Sequence, residues 1–136
     1  MSNFETFLEA FIRKAKTPYK EGEFGYWWTV IQGKPDISGL EYGEGSIDCV
    51  KQNLTSLKGS PKSVSGNFYC GFNKLPTLEF CPEKVKGNFI CDLNRLTTLE
   101  FAPKEVKGNF SCRENTKKFT EEDVKAVSNV KGQIYV

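Results

Sequence analysis

The sequence predicts an α/β-type solenoid that is mostly β, with a parallel sheet of about five strands and a cap at each end. Two observations predict it: a 21-residue unit recurs through the carboxy-terminal two thirds of the chain, and the segments around it do not share the unit. A solenoid stacks each unit on its neighbours and needs caps over its terminal units. We expect an amino-terminal cap over residues 1–44 and the solenoid over residues 45–136.

The repeat is visible in three consecutive stretches. Residues 54–74, 75–95 and 96–116 align without a gap on the pattern L-x-x-L-x-x-x-P-x-x-V-x-G-N-F-x-C-x-x-N-x. A degenerate copy precedes them at 45–52, and a final copy closes the chain at 130–136. The phenylalanine and the cysteine lie two positions apart, so in an extended strand both point inward and stack on their equivalents in neighbouring coils.

Other repeat positions define the turns. The asparagines that follow the strands, Asn73, Asn94 and Asn115, can bond turn backbone and form a ladder between coils. The glycine before each strand indicates either a positive φ angle or a close approach of backbone. The proline favours an extended return over a helix. Each coil is therefore expected to be short and mostly non-helical.

The amino-terminal cap is predicted to combine a helix with a strand or hairpin. Residues 3–17 carry apolar side chains at helical spacing, and Ser2 with Glu5 resembles a capping box. We expect the apolar face of this helix to pack over the first coil. Residues 24–31 alternate in a way that predicts a strand with two apolar faces, followed by a turn.

The carboxy-terminal cap is predicted within residues 117–136. Thr120 is followed by three acidic residues, which favour the first turn of a short helix. This helix replaces the extended segment of the last coil and covers it. Residues 133–136 then form the edge strand of the sheet.

Composition argues against several function classes. The chain contains no histidine, which removes the usual general base near neutral pH and the imidazole metal ligand. Its formal net charge is only +2, whereas strong nucleic-acid binders are far more basic. No apolar run of membrane-spanning length and no secretion signal is present. We therefore expect a cytoplasmic protein that is not an enzyme and has neither a membrane nor a nucleic-acid partner.

The five cysteines are predicted to be core residues. Four of them, Cys49, Cys70, Cys91 and Cys112, are spaced 21 apart, unlike the ligands of compact zinc sites. Stacked neighbours about 4.8 Å apart suit neither four ligands around one ion nor an undistorted disulfide. Cys81 falls on a convex turn as a small packed side chain. No catalytic residue, metal ligand or cofactor is predicted.

Outward strand positions form the predicted partner-binding surface, because in such solenoids they line the concave side. Tyr69, Phe72, Ile90 and Leu93 place an apolar centre among charged residues, a composition typical of a protein interface. The predicted partner-binding residues are Asp48, Lys51, Tyr69, Phe72, Ile90, Asp92, Leu93, Arg113, Glu114 and Tyr135.

Three alternatives stay open at this point. The amino-terminal segment or a second copy could cover the apolar centre, and Trp27–Trp28 or the Tyr135 edge could build a homo-oligomer. An enzyme site would have to lie in residues 18–46 and use groups such as Glu21, Glu23 and Asp36 without histidine. Lysines that share one register could contact phosphates, or simply keep the strand entry soluble; they are Lys86, Lys107 and Lys131.

The units resemble the leucine-rich repeat, because a rotated register shows F-x-C-x-x-N-x-L-x-x-L with Phe and Cys in place of strand leucines. They are similar to the short repeats of bacterial effector proteins and still more to repeat proteins of large tailed phages. The phage-like features are the Gly-Asn-Phe-x-Cys strand and the Phe-Thr-Glu-Glu-Asp-Val segment beginning at Phe119. The resemblance covers roughly residues 45–136. It implies a phage-encoded recognition protein that binds, and could inhibit, a host or phage protein in the host cytoplasm.

Overall fold

Two parallel sheets run along a solenoid of about four turns in the structure, a computed structural model that describes residues 3–41 and 45–136. The strands are β1 (Ile47–Asp48), β2 (Ser63–Val64), β3 (Phe68–Tyr69), β4 (Lys84–Val85), β5 (Phe89–Ile90), β6 (Glu105–Val106), β7 (Phe110–Ser111), β8 (Asn129–Val130) and β9 (Ile134–Tyr135). The first sheet has the order β1-β3-β5-β7-β9 and the second β2-β4-β6-β8. The predicted mostly-β solenoid with five parallel strands is confirmed, and the second sheet adds to it.

A column of phenylalanine rings forms the centre of the core. Phe68 pairs in register with Phe89, and Phe89 with Phe110. The ring centroids are 6.0 Å and 5.2 Å apart, and all three side chains are fully buried. Burial of one such side chain contributes about 2 to 3 kcal/mol. The 21-residue spacing therefore becomes a continuous apolar column, because equal positions in successive coils fall directly above one another.

The strand cysteines lie beside this column and are buried, as predicted. The thiols of Cys49, Cys70 and Cys91 each donate toward a carbonyl of the next coil, with Cys91 Sγ 3.4 Å from Ser111 O. Burial raises the pKa of the Cys49, Cys70 and Cys91 thiols well above its usual value, and raises that of Cys112 to about 12. Thiols held protonated in this way are poor nucleophiles and poor metal ligands.

Two asparagine ladders tie the coils together. Asn94 accepts from Leu75 N at 3.1 Å and donates to Cys70 O at 3.0 Å and Cys91 O at 3.1 Å, so one carboxamide joins neighbouring coils as predicted. The second ladder uses the Gly-Asn-Phe asparagines, and Asn88 Oδ1 accepts from Asn109 N at 2.8 Å. No role was predicted for this second set of asparagines. Together the ladders satisfy turn groups that strand pairing leaves free.

The glycine before each strand marks a close approach rather than a positive φ angle. A side-chain carbon on Gly108 would lie 2.6 Å from Gly87 O, inside van der Waals contact. The Gly108 amide instead donates to that same carbonyl at 2.9 Å. Glycine is therefore required here because neighbouring coils touch through their backbones.

The prediction of a strand over residues 24–31 was wrong. Helix α2 (Phe24–Tyr26) runs directly into a π-helix (Trp27–Ile31). The segment has apolar residues at nearly every position, and such a run suits a helix that is buried on most sides as well as a two-faced strand. The helical form satisfies its own backbone, with Gln32 N donating to Trp27 O at 2.9 Å.

This helical segment closes the amino-terminal end of the core. The Phe24 ring lies 6.2 Å from that of Phe68 and extends the phenylalanine column, and Trp28 stacks on Phe24 at 5.7 Å. The backbone of Gly25 donates to Lys58 O at 2.8 Å. A side-chain carbon on Gly59 would lie 2.6 Å from Gly25 Cα, so the cap meets the first coil through two glycines.

Helix α1 (Asn3–Lys16) matches the predicted bounds closely, but the expectation that its apolar face packs over the first coil was wrong. Phe7, Leu8, Phe11 and Ile12 are exposed by 69%, 43%, 61% and 41%. The proposed capping box includes Ser2, which lies outside the described residues.

The carboxy-terminal cap follows the prediction. Helix α3 (Glu121–Lys125) begins with a capping box in which Thr120 Oγ1 accepts from Asp123 N at 3.2 Å, and Asp123 Oδ2 accepts from Thr120 N at 2.9 Å. These bonds lower the pKa of Asp123. Val124 is fully buried over the last coil, and β9 is the edge strand.

Replacement of Asn94 by alanine is expected to lower the free energy of unfolding by about 3 kcal/mol or more, since each buried group left without a partner costs roughly 1 to 3 kcal/mol. Urea unfolding measures it. The matched control is Gln52→Ala at the ladder position of the first coil, where the side chain is exposed and bonds only Val50 O among the contacts described. That change is expected to cost less than about 1 kcal/mol. Equal losses would contradict the ladder.

Alkaline pH is expected to destabilise the fold through the buried thiols. Above about pH 8.5 the thiols of the unfolded chain ionise, whereas the folded chain keeps its thiols protonated. The stabilisation is therefore complete below that pH, and it declines by about 1.4 kcal/mol per pH unit for each such thiol above it. Urea unfolding under reducing conditions from about pH 8 to 10 measures the slope. In Cys91→Ala, the slope of the free energy of unfolding against pH should be shallower by the contribution of one thiol. An unchanged slope would contradict the buried thiols as the cause of the pH dependence.

Candidate functional site

The outward side of the first sheet, here called the strand face, presents one row of side chains from the strands themselves. Tyr69 and Ile90 are Cα partners in this row, and both are half-buried. The row continues to the acidic Asp48 at one end of the sheet and to Tyr135 at the other. The parallel register thus places Asp48, Tyr69, Ile90 and Tyr135 in one line, which the buried Ser111 of β7 interrupts.

A second row follows three residues later in each coil and has unusual backbone geometry. Lys51, Phe72, Leu93 and Glu114 have φ angles of 58°, 55°, 55° and 55°. Left-handed backbone costs an L-residue about 1 to 2 kcal/mol, whereas glycine adopts it freely. Coil-to-coil bonds hold the turn, such as that from Leu93 N to Arg113 O at 2.9 Å.

The apolar centre of the strand face lies on two adjacent coils. Phe72 and Leu93 are 49% and 41% exposed, beside the half-buried Tyr69 and Ile90. The Lys51 ammonium lies 5.1 Å from the centre of the Phe72 ring. The charged edge of the strand face on the amino-terminal side, here called the amino-terminal rim, therefore contacts the apolar centre. The structure thus brings together the four apolar residues that the sequence singled out.

Asp92 was predicted to bind a partner, but it is not part of the accessible rim. It is only 8% exposed, and its Oδ1 accepts from Ser111 Oγ at 2.6 Å and from Arg113 N at 2.7 Å. The Arg113 guanidinium lies 3.3 Å from Asp92 Oδ2. Asp92 therefore fixes the backbone and side chain of Arg113, which a partner could contact in its place.

The charged edge of the strand face on the carboxy-terminal side, here called the carboxy-terminal rim, carries the cationic Arg113. The Arg113 guanidinium lies 5.6 Å from the Tyr135 ring centre, and Glu114 is exposed next to it. A surface depression of about 240 Å³ adjoins this rim. The residues that line the depression are Cys112, Arg113, Glu114, Asn115, Lys117, Lys118, Phe119 and Val136.

Two carboxylates of residues 18–46, those of Asp36 and Glu23, accept hydrogen bonds from local turns. Asp36 accepts from the Tyr19 hydroxyl at 2.9 Å and from Ser38 N at 2.9 Å. Partial burial would raise the pKa of Asp36, but these bonds outweigh it and lower the pKa. Glu23 Oε1 accepts from Lys20 N at 2.7 Å. A carboxylate with a lowered pKa is a weak base, so this geometry favours a structural role over proton transfer.

Comparison with known proteins adds no relative: no family model, curated protein or solved structure matches the chain. Within residues 3–41 and 45–136, no group of three or more metal-binding side chains is placed to hold an ion. In the same part of the chain, every helix is too short or too polar to cross a membrane. The strand face is therefore the surface from which we infer a function.

Replacement of Phe72 or Leu93 by glycine is expected to leave the free energy of unfolding unchanged or to raise it by up to about 1 kcal/mol, because relief at positive φ offsets the added freedom of the unfolded chain. Urea unfolding measures the change. The contrast is Phe89→Ala, an inward residue of β5, which should lose about 3 to 5 kcal/mol. A loss above about 1 kcal/mol for either glycine variant would show that these side chains support the fold.

Proposed function

We propose that this chain is a non-catalytic protein-protein interaction module that binds another protein through the strand face. One observation carries the proposal: Phe72 and Leu93 are exposed apolar residues at positions of positive φ, and they lie on adjacent coils of one sheet face next to Tyr69 and Ile90. Phe80 is also exposed at a positive φ angle, but it lies on another turn, outside this group. Glycine at positions 72 and 93 would remove both the strain and the apolar exposure. Folding and solubility alone do not account for four apolar side chains grouped on one sheet face, so a binding role is assigned to the group.

The composition of the strand face favours a protein as the partner. Aromatic and aliphatic side chains at the centre with charged residues around them are typical of interface hot spots and their rims. Lys51 supplies positive charge at one rim, and Arg113 and Glu114 supply charges of both signs at the other. Charged residues around an interface determine the orientation and the choice of the partner more than they determine the binding affinity.

Nucleic acid fits this surface less well. The lysines of the shared register, Lys86, Lys107 and Lys131, are exposed on the turn before each strand of the first sheet rather than on the strand face. Phosphate binding draws its affinity from many cations together, and the chain has only two more basic than acidic residues.

The resemblance to repeats of large tailed phages supports a narrower version of the proposal. The partner is then a host or phage protein, the chain acts in the host cytoplasm, and occupation of the partner surface inhibits it. The physical basis is steric, because a rigid sheet that covers a partner surface excludes other ligands from it. The resemblance to leucine-rich repeats supports recognition in the same general way.

Self-assembly is the competing function. The Trp27–Trp28 pair was one alternative for such an interface, but these residues are only 8% and 3% exposed and offer little surface to a second copy. The edge strand β9 keeps the alternative open, because Tyr135 is 44% exposed and β9 has a neighbour in the sheet on one side only. Unpaired strand edges can add a further chain.

Affinity capture from bacterial host lysate with a tagged chain tests the proposal. The wild type is expected to retain a specific protein that the Phe72→Gly/Leu93→Gly variant loses by at least about tenfold, as expected when hot-spot residues are removed. The matched control is Phe80→Gly/Phe101→Gly, since these phenylalanines are 51% and 43% exposed on another turn of the same repeat. The control should retain the protein.

Purified components then confirm direct binding by calorimetry, and circular dichroism confirms that both variants are folded. Equal capture by all three chains would reject the strand face as the site. The tagged chain could instead capture only further copies of itself, and the Phe72→Gly/Leu93→Gly variant could do so equally well. That result would support self-assembly through a strand edge.

A further inference from the structure

The turn after β7 presents two main-chain amides that meet no hydrogen-bond acceptor within residues 3–41 and 45–136. They belong to Glu114 and Asn115. The surface depression of about 240 Å³ lies against this turn, and both residues line it. Main-chain N–H groups are strong donors, so this pair is available to a ligand that enters the depression.

The equivalent amides of two other coils are bonded to the coil that follows them. Leu93 N donates to Arg113 O at 2.9 Å. Asn94 N donates to Asn115 Oδ1 at 3.2 Å. In the first coil, the corresponding amides reach a main-chain oxygen at 3.4 Å and an asparagine Oδ1 at 3.0 Å. Two successive amides of this turn thus hold two trigonal oxygen atoms, one from a carbonyl and one from a carboxamide.

The turn after β7 has the same shape as the bonded turn of the preceding coil. The φ angle is 55° at both Leu93 and Glu114. In both turns, the asparagine Nδ2 donates at 3.1 Å to the cysteine carbonyl three residues earlier. Successive N–H groups around a left-handed residue form a concave site for an anion. The amides of Glu114 and Asn115 therefore offer the depression the same pair of donors that the other coils use internally.

The side chains around the depression are mainly cationic. Arg113, Lys117 and Lys118 line it, and the single carboxylate among the lining residues is that of Glu114. In the part of the chain that the structure describes, Lys117 and Lys118 form no salt bridge. Positive charge at a concave surface raises the local concentration of anions. The depression therefore combines oriented donors with unpaired positive charge.

The position of Arg113 is fixed by its neighbours. Its Nε and Nη2 atoms lie 3.4 Å and 3.3 Å from Oδ2 of the buried Asp92, and its guanidinium carbon lies 5.6 Å from the centre of the Tyr135 ring. A guanidinium that a buried carboxylate holds by one edge keeps its remaining N–H groups for a second acceptor. Because Asp92 offsets its charge, Arg113 contributes a fixed donor and the two lysines contribute the net charge.

We propose that this depression binds a carboxylate group. Its two oxygen atoms take the positions that the carbonyl and carboxamide oxygens take in the other coils, and Glu114 N and Asn115 N donate to them. Carboxylate oxygens are trigonal and planar like the oxygens bonded in those coils. Lys117 and Lys118 balance the negative charge. Backbone amides grouped in this way are a known means of capturing the carboxylate of a peptide.

Phosphate fits the depression less well. A phosphate ester carries close to two negative charges at neutral pH, whereas a carboxylate carries one. The exposed side chain of Glu114 lies on the wall of the depression and repels a doubly charged ligand more strongly. The oxygen atoms of phosphate are also arranged as a tetrahedron, unlike the planar acceptors of the other coils.

The site adjoins the carboxy-terminal rim of the strand face. A partner on the strand face would therefore place a carboxylate here, either its terminal carboxylate or that of an aspartate or glutamate. This last step rests on the proposed function, whereas binding of a carboxylate to the depression does not. Small carboxylates measure the site without any partner, so the two proposals fail or stand separately.

Titration of the isotope-labelled chain with sodium acetate, followed by amide NMR, tests the site. The amide protons of Glu114 and Asn115 are expected to move downfield in a saturable way, with a dissociation constant on the order of 1 to 10 mM for so small a ligand. The bonded amides of Lys51 and Gln52 are the matched control and should not move. Sodium chloride at equal ionic strength controls for screening. Absence of a saturable shift at Glu114 and Asn115 would overturn the proposal.

Charge variants test whether the attraction is local. Lys117→Gln/Lys118→Gln is expected to weaken acetate binding about three- to tenfold. Lys104→Gln/Lys107→Gln removes the same charge from exposed lysines outside the depression and should leave the affinity unchanged. Glu114→Gln should strengthen binding, because it removes a repelling charge and keeps the amide donor. Equal losses in the two lysine variants would reduce the effect to net charge and overturn the site.

Further small ligands identify the source of the carboxylate. N-acetyl-leucine carries a main-chain carboxylate, and N-acetyl-aspartate with an amidated main-chain carboxyl carries a side-chain carboxylate. The compound that binds more tightly shows which carboxylate of a polypeptide the site takes. N-acetyl-leucinamide has no carboxylate and should not bind. Binding of this amide, or tighter binding of inorganic phosphate than of acetate, would overturn carboxylate as the ligand.

Discussion

The bond between coils through buried asparagine is the constraint on which the rest of the structure depends. Asn94 and its equivalents bond both their own turn and the turn of the preceding coil, so a turn keeps its shape only when its neighbour has the same shape. That mutual dependence places the phenylalanines in one column and the cysteines beside it. It also holds Phe72 and Leu93 at a positive φ angle on the surface. The strand face is thus a product of the same network that stabilises the core.

Much of the solenoid could be predicted from the sequence, because the period of the repeat determines the geometry of the coils. A spacing of 21 residues fixes which side chains are stacked, and alternation within the strand separates Cys70 from Tyr69 as inward and outward. The capping box at Thr120 could be predicted because its signature is local. The four apolar residues of the strand face could be found for the same reasons. The positive φ angle of Phe72 could not, because phenylalanine has no preference for that region.

The predictions that failed lie where no period applies. Residues 24–31 are apolar at nearly every position, and burial on most sides removes the pattern that distinguishes a strand from a helix. Asp92 occupies an outward strand turn, but Ser111 and Arg113 of the next coil enclose it, and that partnership depends on identities 19 and 21 residues away. The orientation of α1 depends on tertiary contacts of its polar face. Helical periodicity shows that an apolar face exists, and not which way it points.

The meeting of Gly25 with Gly59 has a consequence for how this architecture can change in length. The later coils carry Phe80 and Phe101 at the position of Gly59, so the cap fits only the first coil. The last coil is equally particular, because α3 stands where the others have an extended segment. The interior coils share the contacts of the phenylalanine column and of the two asparagine ladders. Duplication or loss of a whole unit in the interior would lengthen or shorten the strand face and leave both caps in place. The last unit shows where another length is accommodated, because Phe110 and Ile134 lie 24 residues apart and still pair in register, with α3 in the longer connection.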